Sequence, residues 1–132
     1  MQYSVTLRNN QLDQMESTAG VSAKLQFRSG AAPANCAAAD SGTLLAEITL
    51  PSDWMAAASA GSKAKAGTWT VAGIAAGVIG HFRIKNSAGS TCHVQGSVTL
   101  TGGGGDMSVD NTNTAVGQSI TVNTFTINAG NA

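Results

Sequence analysis

The sequence predicts an all-β fold: an antiparallel β-sandwich or jelly roll of roughly seven to eight strands, behind a short N-terminal helix or arm. Three observations carry this prediction. Apolar and polar residues alternate with period two in several runs, the signature of half-buried strands. Turn-forming Gly, Pro, Asn and Asp recur about every dozen residues, the spacing of short antiparallel strands. Ala, Gly, Thr, Ser and Asn make 74 of the 132 residues, while 11% are charged, which suits a compact β-structure with a bland surface better than a catalytic site.

Residues 1–20 read as the arm or helix, and 21–132 as a single β-domain. Over 4–18, Ser4 or Asn9 offers an N-cap and Gly20 a stop; Leu12 and Met15 share one face, Tyr3 and Leu7 another. An extended arm that orders only on a partner fits these residues equally well, and residues 1–18 would then be dispensable for folding. Ala23-Lys24-Leu25-Gln26-Phe27-Arg28 alternates strictly and predicts a strand. Gly30, Pro33 and Gly42 make 29–42 a loop, and 44–50 is a mostly apolar strand closed by Pro51, Ser52 and Asp53. Segment 53–61 is predicted to form a helical turn stopped by Gly61. Residues 63–70 form a weak strand with a bulge where Gly67 neighbours Trp69, and the small apolar run 71–79 is a connection over the core edge.

Residues 81–85 alternate, 86–90 turn and 91–100 return, giving the strongest hairpin in the chain. Gly102 to Gly105 is a four-glycine loop, 107–109 a short strand and 111–117 a turn. The last strand, 119–127, switches parity: Ile120 and Val122 point one way, Phe125 and Ile127 the other. A bulge near Asn123-Thr124 would keep all four on the core.

Charge and motifs exclude several classes. Formal net charge is zero, so the basic footprint of a nucleic-acid binder is missing. No run approaches the ~18 apolar residues of a membrane helix, and no signal peptide is visible, so the expected product is made in the cytoplasm without a membrane partner. Cys36 and Cys92, the only thiols, are either a disulfide or two small buried thiols. Cys92-His93 is not a dyad, because neighbouring strand residues face opposite ways. Cys36, His81, Cys92 and His93 lack metal-ligand spacing, so no metal or cofactor is expected. Asp106 to Asp110 has alternating oxygens like a calcium loop but lacks the Gly and the acid that close one, and reads better as a strand. Trp54 and Trp69 are core anchors or, less simply, a sugar-stacking platform. No nucleophile elbow or paired catalytic carboxylates stand out, so the chain does not read as an enzyme.

The runs 7–14 (LRNNQLDQ), 28–35 (RSGAAPAN), 44–47 (LLAE), 81–84 (HFRI), 94–98 (VQGSV) and 125–132 (FTINAGNA), with the 87–89 turn, resemble small structural proteins of tailed bacteriophages and prophages, over nearly the whole chain. The resemblance implies a virion component, foremost a capsid decoration or cement protein on the capsid surface. Its partners would be the major capsid protein and copies of itself. Tyr3, Leu7, Leu12 and Met15 would then contact the capsid, or else pack only on their own domain. A fibre, spike or tail-tip module that binds a host surface or glycans is the alternative. Cysteines at the positions of Cys36 and Cys92 are not common in that family, so the resemblance implies no metal or redox role for them.

Overall fold

The computed structural model describes residues 1–131. Its elements are α1 (Val5–Ala19), β1 (Lys24–Ser29), β2 (Leu44–Thr49), β3 (Ser62–Ala64), β4 (Thr70–Ala72), β5 (Gly77–Lys85), β6 (Cys92–Leu100), β7 (Met107–Val109), β8 (Asn113–Thr114) and β9 (Ser119–Asn128). The protein is all-β with one short N-terminal helix. The strands form one sheet in the order β2-β1-β5-β6-β7-β9-β3, with β4 also on β9 and β8 on β5. The sheet curls: the Ile74 amide, just past β4, donates to the Leu45 carbonyl of β2 at 2.8 Å, so the far end of the order returns to the first strand.

Inside the curl, four aromatic rings stand in a row. Trp54 lies 6.1 Å from Trp69, Trp69 5.8 Å from Phe125, and Phe125 5.5 Å edge-on to Phe82. Tilted and edge-on pairs match the ring quadrupoles and add about 1 kcal/mol each beyond burial. Leu25, Phe27, Leu45, Ile84, Met107 and Ile120 pack around them. Neither Trp reaches the surface, which removes the sugar-platform reading of Trp54 and Trp69.

Strand β9 carries the predicted bulge. Ser108 opposes Thr124 and Val109 opposes Val122, leaving Asn123 as the extra residue. The shift keeps Ile120, Val122 and Phe125 buried, with Ile127 packed against the same core.

Other local expectations need correction. Segment 53–61 forms no helical turn. Instead Met55 bridges Lys65, and Ser59 and Ser62 exchange both backbone hydrogen bonds, closing a two-residue hairpin turn. Ala60 and Gly61, at φ 52° and 76°, supply the left-handed pair such a turn requires. The weak strand expected over 63–70 is two pieces, β3 and β4. Residues 71–79 are not merely a connection, since β4 and β5 claim their ends, and β8 lies inside the expected 111–117 turn. These pieces raise the strand count to nine among the described residues.

The pairing of β6 with β7 is parallel, unlike every other ladder among the described residues. Parallel neighbours usually need a crossover of about a dozen residues. Here the glycine loop reverses the chain twice within residues 101–106, with Gly102 and Gly104 at φ 86° and 82°. So short a path suffices because β7 is three residues long.

Helix α1 is capped as its ends suggest: the Ser4 hydroxyl accepts from the Leu7 amide, and the Gly20 amide donates to the Glu16 carbonyl at 2.9 Å. Its docking is polar. Arg8, Asn9, Asp13 and Glu16 lie along one face. Asn9 accepts from the Gly61 amide, Asp13 from Ala58 and Glu16 from Met55. Arg8 donates to the Ala129 carbonyl and crowds Gly61, where a side chain would strike the guanidinium. Lys63, 3% exposed, is held by Asp13 at 2.7 Å and Glu16 at 3.0 Å. Burial pulls the Lys63 ammonium down, but its hydrogen bonds to the two carboxylates win and hold its pKa above the ordinary lysine value. Leu12 and Ala19 are the buried apolar residues of α1. The helix is therefore part of the domain's packing. Removing residues 1–18 would take away both carboxylates that hold Lys63 and the segment that covers it, so the truncation is expected to lower stability.

Glu16→Ala should cost about 2 kcal/mol, because it leaves the Met55 amide without its partner and the buried Lys63 ammonium with one carboxylate instead of two. Lys63→Met should cost less, since the freed carboxylates stay close to water. Urea midpoints of the two variants test this ordering.

Candidate functional site

Two regions collect the unusual chemistry. The first is the outer face of β1, β5 and β6 beneath the 30–43 loop. His81, Arg83 and Lys85 alternate along β5 on the side opposite Phe82 and Ile84. Such a polar face would normally meet water, but His81, Arg83 and Lys85 are all buried. The loop covers them. Gly80 permits this, because a Cβ there would collide with the Gly30 carbonyl, which instead bonds Nδ1 of His81 at 2.9 Å.

Arg83, 1% exposed, organises the loop. Its Nη1 donates to the Ala38 carbonyl at 3.1 Å and to Oδ1 of Asp40 at 2.6 Å. Its Nη2 donates to the carbonyls of Cys36 at 2.8 Å and Ala38 at 3.1 Å. The planar fork thus gathers several backbone oxygens of the loop at once. Asn35 shapes the same stretch by accepting from the amides of Ala37 and Ala38.

Asp40 is the counter-ion. Lys85 reaches it at 2.6 Å and Arg28 at 3.1 Å, so three cations surround one carboxylate. Burial pushes the Asp40 carboxyl up, but hydrogen bonds from Lys85 and Arg83 and the Arg28 charge outweigh it and hold it below the usual carboxylate range. A relay extends the cluster: Arg28 donates to the Gln26 side chain, which donates to Glu47 on β2 at 2.7 Å.

An open cavity of about 630 Å³ borders this cluster, lined in part by Cys36, Asp40, Arg83, Lys85, Ser90 and Cys92. The two cysteines, 56 positions apart in sequence, therefore meet. Burial, followed by the nearby Cys92 thiol, pushes the Cys36 thiol up to about 11. Both are free thiols here. His93 points away from Cys92, into a groove against α1.

The second region is that groove, about 180 Å³, between β6 and one flank of α1. Gln11, Gln14, Met15 and Thr18 form its helical wall, and His93 and Val94 its floor. Leu7 lies on the same flank one turn earlier and is 45% exposed; Tyr3 is 36% exposed. Of the four residues expected to contact a partner, Tyr3, Leu7 and Met15 thus have accessible surface. Leu12 does not: at 2% exposure it packs inside the protein's own fold, because it falls on the docked face with Glu16.

The acidic residues near the glycine loop act as strand fasteners. Oδ2 of Asp106 accepts from the amide and hydroxyl of Ser97, which hold its carboxyl below the usual range, and Asp110 accepts from the Thr121 amide. Met107 to Val109 between them is strand β7. No group of three or more His, Cys, Asp or Glu side chains is placed to hold a metal ion among the described residues. No helix among them is long and apolar enough to cross a membrane.

Sequence reading missed the Arg83–Asp40 clamp. The alternation His81-Arg83-Lys85 was its available signal, but nothing local indicated which segment would cover that face. Comparison with protein-family models, curated proteins and solved structures finds no match to this chain.

The Asp40 carboxyl lies below its unfolded value, so its stabilisation is present above the ordinary carboxylate range and is lost as pH falls through the depressed value. The loop should stay clamped in mild acid and release only in strong acid. Asp40→Asn should cost about 2 kcal/mol near pH 7 and progressively less toward about pH 2. Paired urea titrations at the two pH values check both the size and the sign.

Proposed function

We propose that the chain is a virion structural protein of a tailed phage or prophage, acting as a capsid decoration (cement) protein that bridges and stabilises major capsid subunits. The resemblance of its turns and strand runs to that family suggests the class. The observation that carries the role is the set of apolar side chains Tyr3, Val5 and Leu7, each left in solvent around the first turn of a helix that is fixed to the sheet further along its length. A rigidly held helix end presents its apolar groups without the ordering cost of a floppy arm. A formal net charge of zero puts no long-range repulsion in the way of many copies sitting side by side. A shell is held by modest contacts repeated by symmetry, so each copy needs only a small patch. Leu7, Tyr3 and the Met15 groove are the proposed contact; Leu12 supports it from within.

The fibre or tail-tip reading would use an exposed Trp54 or Trp69 together with loop Asn and Asp groups, and both tryptophans are buried. Nothing else in the fold favours it.

Two measurements test the proposal. Quantitative mass spectrometry of purified particles should give a copy number in simple ratio to the major capsid protein; a handful of copies, or none, would refute it. Tyr3→Ala combined with Leu7→Asp should cut co-sedimentation with undecorated capsids by about tenfold or more, the equivalent of about 1.4 kcal/mol, with an unchanged melting temperature. Wild-type binding by that variant would move the contact elsewhere.

A further inference from the structure

The fold brings two distant thiols to one place and holds both backbones still. Cys92 opens β6 directly opposite Lys85 of β5. Cys36 sits in the 30–43 loop, its carbonyl held by Arg83 at 2.8 Å. Arg83 is itself two residues from Lys85 on the same strand, so one β5 segment positions both cysteines. The two side chains face the same cavity, with Arg83 between the loop and the strand that carry them. Both line the same open cavity, so a small reagent can reach them from solvent.

We propose that Cys36 and Cys92 form a redox-reactive pair that closes to an intramolecular disulfide, stapling the 30–43 loop to β6 across the Arg83 clamp. The oxidant is a small-molecule disulfide of the glutathione class, entering through the cavity. One protein thiol loses its proton and attacks the reagent, forming a mixed disulfide and releasing one glutathione thiol. The second protein thiol then loses its proton and attacks the protein-bound sulfur. The Cys36–Cys92 bond forms and the second glutathione thiol leaves. Two protein thiols are oxidised, one reagent disulfide is reduced, and the two protons pass to the departing thiolates.

The arrangement also sets the rate. Thiol exchange runs through the thiolate. With the Cys36 thiol pushed up to about 11, its step is slow near neutrality. It should quicken by about tenfold per pH unit on the alkaline side of neutral. The closed loop spans 56 positions, long enough for a cross-link to restrict the unfolded chain strongly. The staple would restrain the same loop that the Asp40–Arg83 pair restrains, by a bond that acid does not release.

The test uses the full chain, reduced and then incubated with oxidised glutathione. Remaining thiols are alkylated, and the protein is read by intact mass, peptide mapping and thermal melting. The expected product is a monomer without alkylatable thiols, with the Cys36 and Cys92 peptides joined. It should melt roughly 10 °C above the reduced form. Cys36→Ser and Cys92→Ser should each stop at a single glutathione adduct. Two adducts on the wild type, two alkylated thiols after oxidation, or a cross-link between molecules would overturn the proposal. The wild-type result decides even if a serine variant folds poorly.

Discussion

The row of four rings from Trp54 through Trp69 and Phe125 to Phe82 is the interaction on which the remaining architecture depends. It takes up four of the six aromatic residues in a chain whose other abundant side chains are small. Phe82 and Phe125 belong to strands separated by two others in the sheet order, so their edge-on contact exists only because the sheet curls. The Asn123 bulge is the backbone adjustment that turns Phe125 inward after Ile120 and Val122 have already used the other parity. Without that extra residue, β9 could face either its aliphatic pair or its aromatic one toward the core.

Around this apolar centre, the two elements outside the sheet are attached by a different chemistry. Helix α1 is held by side chains that satisfy turn amides and by the enclosed Lys63. The 30–43 loop is held by a guanidinium that gathers its carbonyls, with Asp40 balancing the charge. In both, a buried cation is surrounded by oxygens from a neighbouring segment. Such arrangements contribute less net stability than hydrophobic packing but specify geometry closely, because a displaced partner leaves a buried charge unsatisfied. That is a suitable way to hold a helix end and a loop in fixed orientation when the chain has few large apolar residues to spare.

Much of the sheet was legible in the sequence. Strict alternation in 23–28 and 81–85, the turn at 86–90 and the parity switch in 119–127 each had one physical solution, and the fold adopts it. Ser4 and Gly20 marked the helix ends correctly. Three features were hidden for identifiable reasons. The Ala60-Gly61 turn lacks the Asn-Gly or Asp-Gly pair that announces such a hairpin, and the alanines before it read as helical. The parallel β6–β7 pairing depends on a glycine loop whose path is set by tertiary contacts. The docked face of α1 escaped notice because its residues are polar, and hydrophobic periodicity does not register Arg8, Asn9, Asp13 and Glu16 as a contact stripe. The candidate site divides the same way. The shared flank of Tyr3 and Leu7 left open whether they pack inward or face solvent, and the meeting of Cys36 with Cys92 depends on where a 14-residue loop folds back.

The polar attachment of α1 also has a thermal consequence. Burial of apolar surface carries a large heat-capacity change, so the sheet's core is bound to lose strength on cooling. Apart from Leu12 and Ala19, the helix joins the domain through hydrogen bonds and charge, whose heat-capacity contribution is of opposite sign and offsets that of the two apolar residues. The attachment of the helix should therefore vary almost linearly with temperature while the core follows a dome. Cooling should therefore weaken the aromatic centre more than it weakens the attachment of the helix on its surface.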